Sequence, residues 1–300
     1  MWRWGVVRLR PERPGDRWLR YQETRTVNGI AYALAYSYDA AGRMSGMTYP
    51  SGRTIAYAFD ALGRISQVST TPQGGAAQTV ASGIAYQPFG GVKSYTLGNG
   101  QSTTRGYDLD GRIASYSLGS QFFALGYDAA SRISFISDTG NAANANTYSY
   151  DNLDRLIGAA LPNLPFAYNY DAVGNRSSKT VGSSTDIYAY GATSNRLASI
   201  TAQAGATRSF SFDADGSTTN DGNNQYAYDT RGRMVQSTGA LGATVYQVNA
   251  LGQRIRKTNT TEDRVYLYDT RGRLIAETDP GGTLKREYLY LNDIPIAVIQ

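Results

Sequence analysis

A short phrase that recurs about every twenty residues constrains the fold of this chain more than any other feature of its sequence. The phrase is an aromatic residue, any residue, a second aromatic, Asp, two residues, Gly, Arg and a large aliphatic residue. Full copies begin at Tyr36, Tyr57, Tyr226 and Tyr266. In degraded copies the Asp or its substitute lies at positions 108, 128, 151, 171, 191, 213 and 249, which gives eleven copies in all. A decayed twelfth copy is expected at Tyr86-Gln-Pro88-Phe89-Gly90.

The length and chemistry of the phrase predict a β-hairpin. Twenty residues is too short for a two-helix repeat, which needs more than about 30, but it suits two strands and two turns. Asp39 is suited to the first position of a type I turn, where its carboxylate accepts a backbone N–H, and Gly42 to the positive φ that follows. Such a turn joins antiparallel strands. The two aromatics before the Asp therefore lie on one face of a strand.

The degraded copies preserve the geometry of the turn. Ser131 and Asp154 replace the Gly, and Asn249 replaces the Asp but keeps a side-chain oxygen. Asn175 and Asn195 fall at or beside the Gly position, and Asn tolerates positive φ better than most residues. The substitutions therefore preserve the geometry of the turn and not a reactive group.

We predict a structural role for the repeated motif, and its arginines are expected to pair with neighbouring turn Asp residues on a solvated rim. The residues assigned to the motif are Tyr36, Tyr38, Asp39, Gly42, Arg43, Asp60, Gly63, Arg64, Asp108, Gly111, Arg112, Tyr228, Asp229, Gly232, Arg233, Tyr268, Asp269, Gly272 and Arg273. No catalytic, cofactor-binding or metal-binding residue is assigned.

The repeat predicts an all-β fold in which tandem hairpins form one long, curled antiparallel sheet over residues 29–300. Eleven hairpins would supply about 22 strands, and open twisted sheets beyond about ten strands normally curl or split. A sheet of this width is too wide for tyrosine side chains to fill if it closes on itself. We therefore expect a hollow or trough-shaped body, part of a β shell.

Residues 1–28 differ in kind from the repeats. The segment Met1-Trp-Arg-Trp-Gly-Val-Val-Arg-Leu-Arg10 is basic and aromatic, and Pro11 and Pro14 follow it. Its arginines interrupt the apolar core that a signal peptide needs. We interpret this segment as a flexible lead-in or a linker; contact of its Arg and Trp side chains with nucleic acid or anionic lipid is the alternative.

Composition removes several classes of chemistry. The chain has no Cys and no His, so disulfides, thiolate metal sites, a Cys nucleophile and the commonest general base are excluded. The net charge of +5 is compatible with nucleic acid, but the arginines follow the turns and the aromatics are expected to face the sheet, so no nucleic-acid partner is predicted. No stretch approaches the roughly 20 apolar residues of a membrane span.

Three further functions stay open on the residues alone. The runs Asp108-Leu-Asp110-Gly111 and Asp213-Ala-Asp215-Gly216 supply oxygen ligands for calcium, although both coincide with a repeat turn and lack the Glu of an EF-hand loop. A pair of turn carboxylates could hydrolyse glycosides, but a catalytic pair needs one special environment and these Asp residues are equivalent. The Tyr-rich sheet face could instead bind a carbohydrate or a protein.

The phrase Tyr-Asp-x-x-Gly-Arg-Leu, at about twenty residues per unit, resembles the YD repeat of the RHS-repeat family. That family includes bacterial polymorphic toxins, the C component of insecticidal Tc toxin complexes and the animal teneurins. The resemblance covers about nine-tenths of the chain. Residues from about 264 to 300, with Leu267 to Glu277 and then Leu284 to Val298, resemble the opening of the core that follows the repeats in the family.

The resemblance implies a non-catalytic shell fragment that encapsulates or presents a C-terminal toxin. The implied partners are a C-terminal toxin or core polypeptide, or other RHS chains; a glycan or cell-surface protein is the alternative. It also implies a protein that is cytoplasmic before export and is then secreted or delivered by a bacterial secretion system. Many relatives cut themselves at an Asp-Pro-x-Gly-Leu segment, whereas the only Asp-Pro here, Asp279-Pro280, sits at a hairpin turn. Self-cleavage and a toxin payload are therefore not expected within these residues.

Overall fold

The computed structural model describes residues 3–11, 18–88 and 90–300, and every regular element among them is a β-strand. The strands are β1 (Arg3–Pro11), β2 (Trp18–Val27), β3 (Ile30–Tyr38), β4 (Met44–Thr48), β5 (Thr54–Phe59), β6 (Ile65–Thr71), β7 (Gln78–Tyr86), β8 (Val92–Leu97), β9 (Ser102–Tyr107), β10 (Ile113–Leu118), β11 (Gln121–Tyr127), β12 (Ile133–Asp138), β13 (Asn141–Tyr150), β14 (Leu156–Leu161), β15 (Leu164–Tyr170), β16 (Arg176–Val181), β17 (Ser184–Tyr190), β18 (Leu197–Thr201), β19 (Thr207–Ser209), β20 (Ser211–Phe212), β21 (Thr218–Asn220), β22 (Gln225–Tyr228), β23 (Met234–Gly239), β24 (Gly242–Val248), β25 (Arg254–Thr258), β26 (Asp263–Tyr268), β27 (Leu274–Thr278), β28 (Leu284–Leu291) and β29 (Ile294–Ile299).

Consecutive strands pair antiparallel along the chain, as tandem hairpins require. They form two sheets, β1–β19 with 19 strands and β20–β29 with ten. The division falls at Phe210, whose backbone N–H donates to the carbonyl of Ala198 at 2.9 Å. The all-β class and the tandem hairpins are thus confirmed. The strands form two sheets, whereas the sequence predicted one long sheet. The described residues form 29 strands instead of about 22 because seven strands lie outside the eleven predicted hairpins. These are β1 and β2 before the repeats, β7 and β8 around the decayed copy at Tyr86, β19 before β20, and β28 and β29 after the last YD turn.

Two compact units can be distinguished, and each is described by itself. The first unit comprises residues 1–103 and 244–300, and the second comprises residues 104–243. The first unit is therefore built from two segments that are far apart in the sequence. Residues 29–300 as one continuous domain remain a prediction.

The hydrophobic core lies in the first unit. Alternation along β3 buries Tyr32, Leu34 and Tyr36 while their neighbours point outward. These side chains pack with buried residues of β26–β28, including Leu267 and Leu289. Because strands alternate faces with a period of two, one face of each segment covers the other. The interior of this unit is filled by side chains.

The second unit buries mainly small or polar side chains. Its most buried residues are Ser117, Asp138, Ala159 and Ser178. Large apolar side chains such as Phe122, Ile157 and Ile187 are exposed within the described residues. Its order therefore depends on strand pairing and on contacts between neighbouring repeats more than on a closed core.

The N-terminal segment requires a correction to the expected flexible linker at 1–28. β2 pairs with β3 over six residue pairs, from Gln22 opposite Ala35 to Val27 opposite Ile30. Val27 is 2% exposed and belongs to the core. The reason is that β2 covers the outer edge of β3 and places its alternate side chains inside the first unit. Residues 1, 2 and 12–17 of the predicted linker lie outside the described residues, as does Phe89 of the predicted twelfth copy.

Candidate functional site

The YD turn has the geometry that its sequence predicts. At Asp39 the N–H of Gly42 donates to the Asp39 carbonyl at 2.9 Å, and the Asp39 N–H donates to the Arg43 carbonyl at 2.9 Å. The Asp39 Oδ1 atom accepts the N–H groups of Ala41 and Arg43 at 3.0 and 2.9 Å. Gly42 has φ +72°, which a residue with a Cβ atom adopts at a cost. The phrase therefore encodes a type I turn closed by its own Asp.

The same turn recurs at Asp60, Asp108, Asp229 and Asp269. Their glycines, which are Gly63, Gly111, Gly232 and Gly272, have φ values from +71° to +82°. The positive φ predicted at Gly42 is confirmed, and the glycines of the other full copies share it. In the degraded copies Ser131 and Asp154 adopt φ +63° and +62° in place of Gly. The decayed copy at Tyr86 also forms a turn, in which the N–H of Gln87 donates to the Gly91 carbonyl at 3.1 Å.

The arginine of each full copy binds the Asp of its own turn. The Nε atom of Arg43 donates to Asp39 Oδ2 at 2.7 Å, and Nη2 lies at the same distance. Nε of Arg64, Arg112, Arg233 and Arg273 donates to Oδ2 of its own Asp at 2.7–2.9 Å. This differs from the expected pairing between neighbouring turns, because the i, i+4 geometry of the bulged turn brings the two side chains together. A pair between neighbouring turns does occur at Arg132 and Asp154, at 2.6 Å.

The free face of the same guanidinium stacks on the next repeat. The Cζ atom of Arg132 lies 4.7 Å from the ring centroid of Tyr150, and that of Arg155 lies 4.6 Å from the ring of Tyr170. The equivalent contacts join Arg43 to Phe59, Arg64 to Tyr86, Arg112 to Tyr127 and Arg273 to Tyr290 at 4.3–4.9 Å. A cation over an aromatic face is stabilising by about 0.5–1 kcal/mol when partly exposed.

The hydroxyl of the stacked tyrosine donates a hydrogen bond to a backbone carbonyl of the preceding repeat. The Tyr150 hydroxyl donates to the Ile133 carbonyl at 2.8 Å, one residue after Arg132. The same bond is made by Tyr86, Tyr127, Tyr170, Tyr190, Tyr228, Tyr268 and Tyr290 at 2.7–2.9 Å. Asp, Arg and Tyr therefore form a clamp in which Asp fixes Arg, Arg covers the next Tyr, and that Tyr holds the backbone behind it.

The first aromatic of the first copy has a different role. Tyr36 is 6% exposed and its hydroxyl donates to Glu23 Oε1 at 2.7 Å. Glu23 also accepts from Arg20 and Arg25, each at 2.9 Å. Burial, and then the hydrogen bond to Glu23, raises the pKa of Tyr36 well above its usual range, so it stays a neutral donor. Tyr38 instead joins the clamp pattern, with its hydroxyl on the Arg20 carbonyl at 2.8 Å.

Buried polar contacts connect the two segments of the first unit, and sequence reasoning missed them. Glu287 is fully buried and accepts from Arg53 Nε at 2.7 Å and from the Ser51 hydroxyl. The Tyr49 hydroxyl donates to the Tyr288 carbonyl at 2.8 Å, and Arg25 donates to the Tyr268 carbonyl. Except for Tyr268, which contributes only its carbonyl, these residues lie outside the YD phrase, and no local pattern marks them. They act as ties between strands that are more than 200 residues apart.

The first carboxylate of each run that the sequence left open as a metal site, Asp108 or Asp213, accepts a hydrogen bond from its own turn. Asp108 Oδ1 accepts the N–H groups of Asp110 and Arg112, and its Oδ2 accepts from Arg112. Asp110 pairs with Arg112 at 3.0 Å. The described residues include no group of three or more His, Cys, Asp or Glu side chains placed to hold a metal ion. Likewise, no helix in the described part of the chain has the length and apolarity of a membrane span.

Comparisons with known proteins agree with the repeat geometry. The teneurin YD-shell model matches residues 160–295, and the RHS repeat model matches residues 22–54 and 38–76. Together the two models cover more than half of the chain. A search of curated proteins gave no match.

Solved structures share the fold at low sequence identity. The Photorhabdus luminescens Tc holotoxin pore aligns with 94% of this chain at 15% identity and a TM-score of 0.60. The TcdB2-TccC3 crystal structure aligns with 91% at 16% identity and a TM-score of 0.57. The form of TcdB2-TccC3 without its hypervariable C-terminal region aligns with 92% at 15% identity and a TM-score of 0.55. The chain spans about a fifth of the length of these proteins. Its repeats, its family matches and its fold agree, and the chain belongs to the RHS/YD-repeat family.

Proposed function

We propose that this chain is a non-catalytic wall segment of a toxin-type protein, which encapsulates or presents a C-terminal toxin absent from these 300 residues. The observation that carries the proposal is the clamp between neighbouring YD repeats, which is complete from Arg64 to Tyr86, Arg112 to Tyr127, Arg132 to Tyr150, Arg155 to Tyr170 and Arg273 to Tyr290. A wall must stay ordered over a long sheet, and the clamp supplies order without a thick hydrophobic core. The proposed partners are the toxin or core polypeptide and other RHS chains.

The same observation argues against an enzyme. The Asp carboxylates accept backbone N–H groups, the guanidiniums are paired and stacked, and the Tyr hydroxyls donate to carbonyls. These groups are therefore fixed by the fold and repeated in equivalent settings. A catalytic pair needs environments that separate the pKa values of its two members.

The similarity to Tc toxin components favours a delivered protein. One of the similar structures is TcdB2-TccC3 without its hypervariable C-terminal region, so that region is separable from the rest of that protein. We propose the same division here, with residues from about 264 onward as the start of the associated core. Export or secretion by a bacterial system, after a cytoplasmic stage, belongs to the same proposal.

A protection experiment tests the wall function. The coding sequence downstream of the Gln300 codon is first read for an in-frame Asp-Pro-x-Gly-Leu segment followed by a small unrelated domain. That longer protein is then digested with a protease, with and without denaturant. We expect the downstream domain to resist cleavage only when the repeats are folded. Cleavage of the downstream domain at the same rate in both conditions would contradict encapsulation.

Two further measurements separate the wall from its alternatives. The purified 300-residue chain is expected to be harmless to target cells, and killing by this chain alone would contradict a non-catalytic role.

A glycan array addresses the recognition module on the Tyr-rich face. Since arginines cover the rings of Tyr150 and Tyr170, we expect no reproducible glycan signal. Binding that is lost when Tyr148 and Tyr168 are replaced by Ala would favour the module instead.

A further inference from the structure

One repeat of the second unit is longer than its neighbours. The hairpins that begin with β10, β14 and β16 each have a six-residue strand, a two-residue turn and a seven-residue strand. The hairpin of β12 and β13 has the same first strand and the same turn length, but β13 has ten residues. The sequence agrees, since Asp151 follows Asp128 by 23 residues and Asp171 follows Asp151 by 20. The extra length is therefore a local insertion in one repeat.

The insertion forms a bulge in β13 beside the turn. Ile136 pairs with Asn146, and Asp138 pairs with Asn141. In a regular antiparallel ladder the partner strand would advance by two residues between these pairs, whereas here it advances by five. Bulges re-aim side chains and are over-represented next to active sites. The inserted residues therefore lie beside the end of β12, where Asp138 is.

Asp138 occupies a position that is apolar in the neighbouring repeats. It is the last residue of β12. The equivalent last residues of β10, β14 and β16 are Leu118, Leu161 and Val181. Leu118 is 59% exposed, whereas Asp138 is only 6% exposed. The longest of these hairpins thus places a buried carboxylate where the others have an aliphatic side chain, a change that the turn itself does not require.

Hydrogen bonds hold the Asp138 carboxylate, but no cation of the described residues neutralises it. Its Oδ1 accepts the N–H of Gly140 at 2.9 Å, and its Oδ2 accepts from Asn144 Nδ2 at 3.3 Å. Arg132, the arginine of the same repeat, is paired with two other carboxylates. A carboxylate has about four acceptor sites, so about two remain for a ligand. Buried carboxylates are normally paired with a cation, which sets Asp138 apart from the turn carboxylates that bind their own arginine.

A cavity of about 380 Å³ opens at this carboxylate. It is lined by residues 120–122 around the start of β11, by residues 138–141 of the turn, and by Asn144 of the bulge. The described lining residues include no Lys or Arg, and Asp138 is the one acidic residue among them. The other polar groups are neutral, such as the side-chain amides of Asn141 and Asn144. The cavity has the size of a small-ligand site and a single negative charge.

The chemistry of the cavity favours one kind of cation. A calcium ion is bound by several oxygen ligands, usually with more than one carboxylate, and the described residues include no group of three or more His, Cys, Asp or Glu side chains. A guanidinium binds best to both oxygens of a carboxylate in one plane, but each Asp138 oxygen already accepts an N–H group. A primary ammonium has three diverging N–H donors, which match one carboxylate surrounded by neutral amide oxygens.

We propose that this cavity binds the primary ammonium group of a ligand, with Asp138 as its counter-charge and Asn141 and Asn144 as neutral contacts. A lysine side chain of a partner protein and a free alkyl amine both carry this group, and their relative affinities distinguish the two sources. The site goes beyond the proposed wall function, because it lies in the one hairpin among these four that departs from the repeat and does not involve the clamp.

Ligand-observed NMR titrations of the full chain test the proposal. The probes are N-acetyl-lysine methylamide, its neutral norleucine analogue, its arginine analogue, and n-butylamine, which has the lysine stem without the peptide group. The variants are Asp138→Asn, Asn144→Ala and, as the matched control, Asp110→Asn. Asp110 is also a carboxylate of the second unit, but it lies outside the cavity, is 72% exposed and pairs with Arg112. Thermal unfolding verifies that each variant keeps the fold.

We expect the lysine derivative to bind the intact chain and the norleucine derivative not to bind. Asp138→Asn should weaken binding about tenfold or more, as expected for a lost hydrogen bond between charged groups, and Asn144→Ala should weaken it less. Asp110→Asn should leave the affinity unchanged. Tighter binding of the lysine derivative than of n-butylamine would support a protein partner, and equal binding would support a free amine.

Several results would overturn the ammonium site. These are no binding of the lysine derivative, equal binding of the norleucine derivative, tighter binding of the arginine derivative, and equal losses in Asp138→Asn and Asp110→Asn. Displacement of the lysine derivative by calcium chloride, but not by sodium chloride at the same ionic strength, would assign the cavity to a metal ion instead.

Discussion

The glycine of each YD turn has positive φ, but the space around it differs between turns. A Cβ atom on Gly63 would lie 2.5 Å from Nη1 of Arg43, which belongs to the preceding repeat. A Cβ atom on Gly232 would meet nothing within 4 Å. The backbone requirement is therefore shared by the YD turns that keep the Asp and the glycine, whereas the packing requirement arises where an arginine from the repeat before lies across the turn, as at Gly63.

This difference predicts unequal effects of one substitution. Gly232→Ala should lower the free energy of unfolding by about 1 kcal/mol, because only the left-handed backbone is strained. Gly63→Ala should cost about 0.5–1 kcal/mol more, since Arg43 must also leave its position over Phe59. Urea unfolding of both variants measures this, with the exposed Ala40→Ser as a nearly neutral control. Equal losses at the two glycines would show that Arg43 contributes nothing at Gly63.

The turn carboxylates predict a loss of stability in acid. The side-chain hydrogen bond from Arg233, and then its backbone N–H, lowers the pKa of Asp229 to about 2. The pKa of Asp39 is lowered in the same way by Arg43. Because the folded pKa lies below the unfolded value near 4, this stabilisation is present above pH 4 and is lost as the pH falls toward 2.

Unfolding by urea at pH 7, 4, 3 and 2, followed by circular dichroism, measures the acid effect. We expect a stable plateau from pH 7 to pH 4 and a steep fall below it. Asp229→Asn should be less stable than the unmodified chain at pH 7, with a difference that shrinks toward pH 2. A difference that stays constant across this range would contradict the role of the ionised carboxylate.

At the scale of the hairpin, the YD motif works between repeats as well as within one. The pair of Arg155 and Asp151 closes a turn, but the guanidinium also covers Tyr170 and the Tyr170 hydroxyl binds the Leu156 carbonyl at 2.7 Å. A hairpin that carries the complete clamp is thus tied to its neighbour by side chains as well as by the strand ladder. The second unit, which buries few large side chains, depends on these ties the most.

A double-mutant cycle measures the tie between repeats. Arg155→Leu, Tyr170→Leu and the double variant should show a coupling energy of about 0.5–1 kcal/mol, the scale of a partly exposed cation–π contact. The cycle of Arg155 with Tyr127 is the control, because Tyr127 is covered by Arg112 instead. Equal coupling in the two cycles would contradict a specific contact between neighbouring repeats.

At the scale of the whole first unit, one buried ion pair and several hydrogen bonds hold two distant segments together. Arg53 lies between β4 and β5, and Glu287 lies on β28 with no exposed surface. Removing one member of such a pair leaves a buried charge, which is usually more costly than replacing both members. The closure of this unit therefore depends on residues that the YD phrase does not include.

Arg53→Met should destabilise the first unit by about 3–5 kcal/mol, because Glu287 loses its cation. The double change Arg53→Met with Glu287→Leu should recover part of that loss. Lys257→Met is the matched control and should cost less than about 1 kcal/mol, since Glu262 is partly exposed and keeps Arg264. Urea unfolding and limited proteolysis of the segments report the effect. A loss at Arg53 no larger than at Lys257 would contradict the tie.

The sequence by itself determined the elements and their turns. Asp, Gly and Arg at fixed spacing specify a type I turn at Asp39 and Asp229 alike, and the substitutes Ser131 and Asp154 keep its φ. These are local interactions among neighbouring residues, so a repeated phrase is sufficient to predict them, and the period of two places the tyrosines on one face.

Only the tertiary structure decided which residues meet across the first unit. Arg231 and Arg271 occur in identical five-residue turns, yet only Arg271 lines a cleft. Glu23 and Glu287 lie in no motif, and residues 18–27 resemble a linker by composition but form β2 inside the core. The environments of Arg271 and Glu287 depend on contacts between segments more than 200 residues apart, and the free energy of those contacts is not encoded in any local pattern.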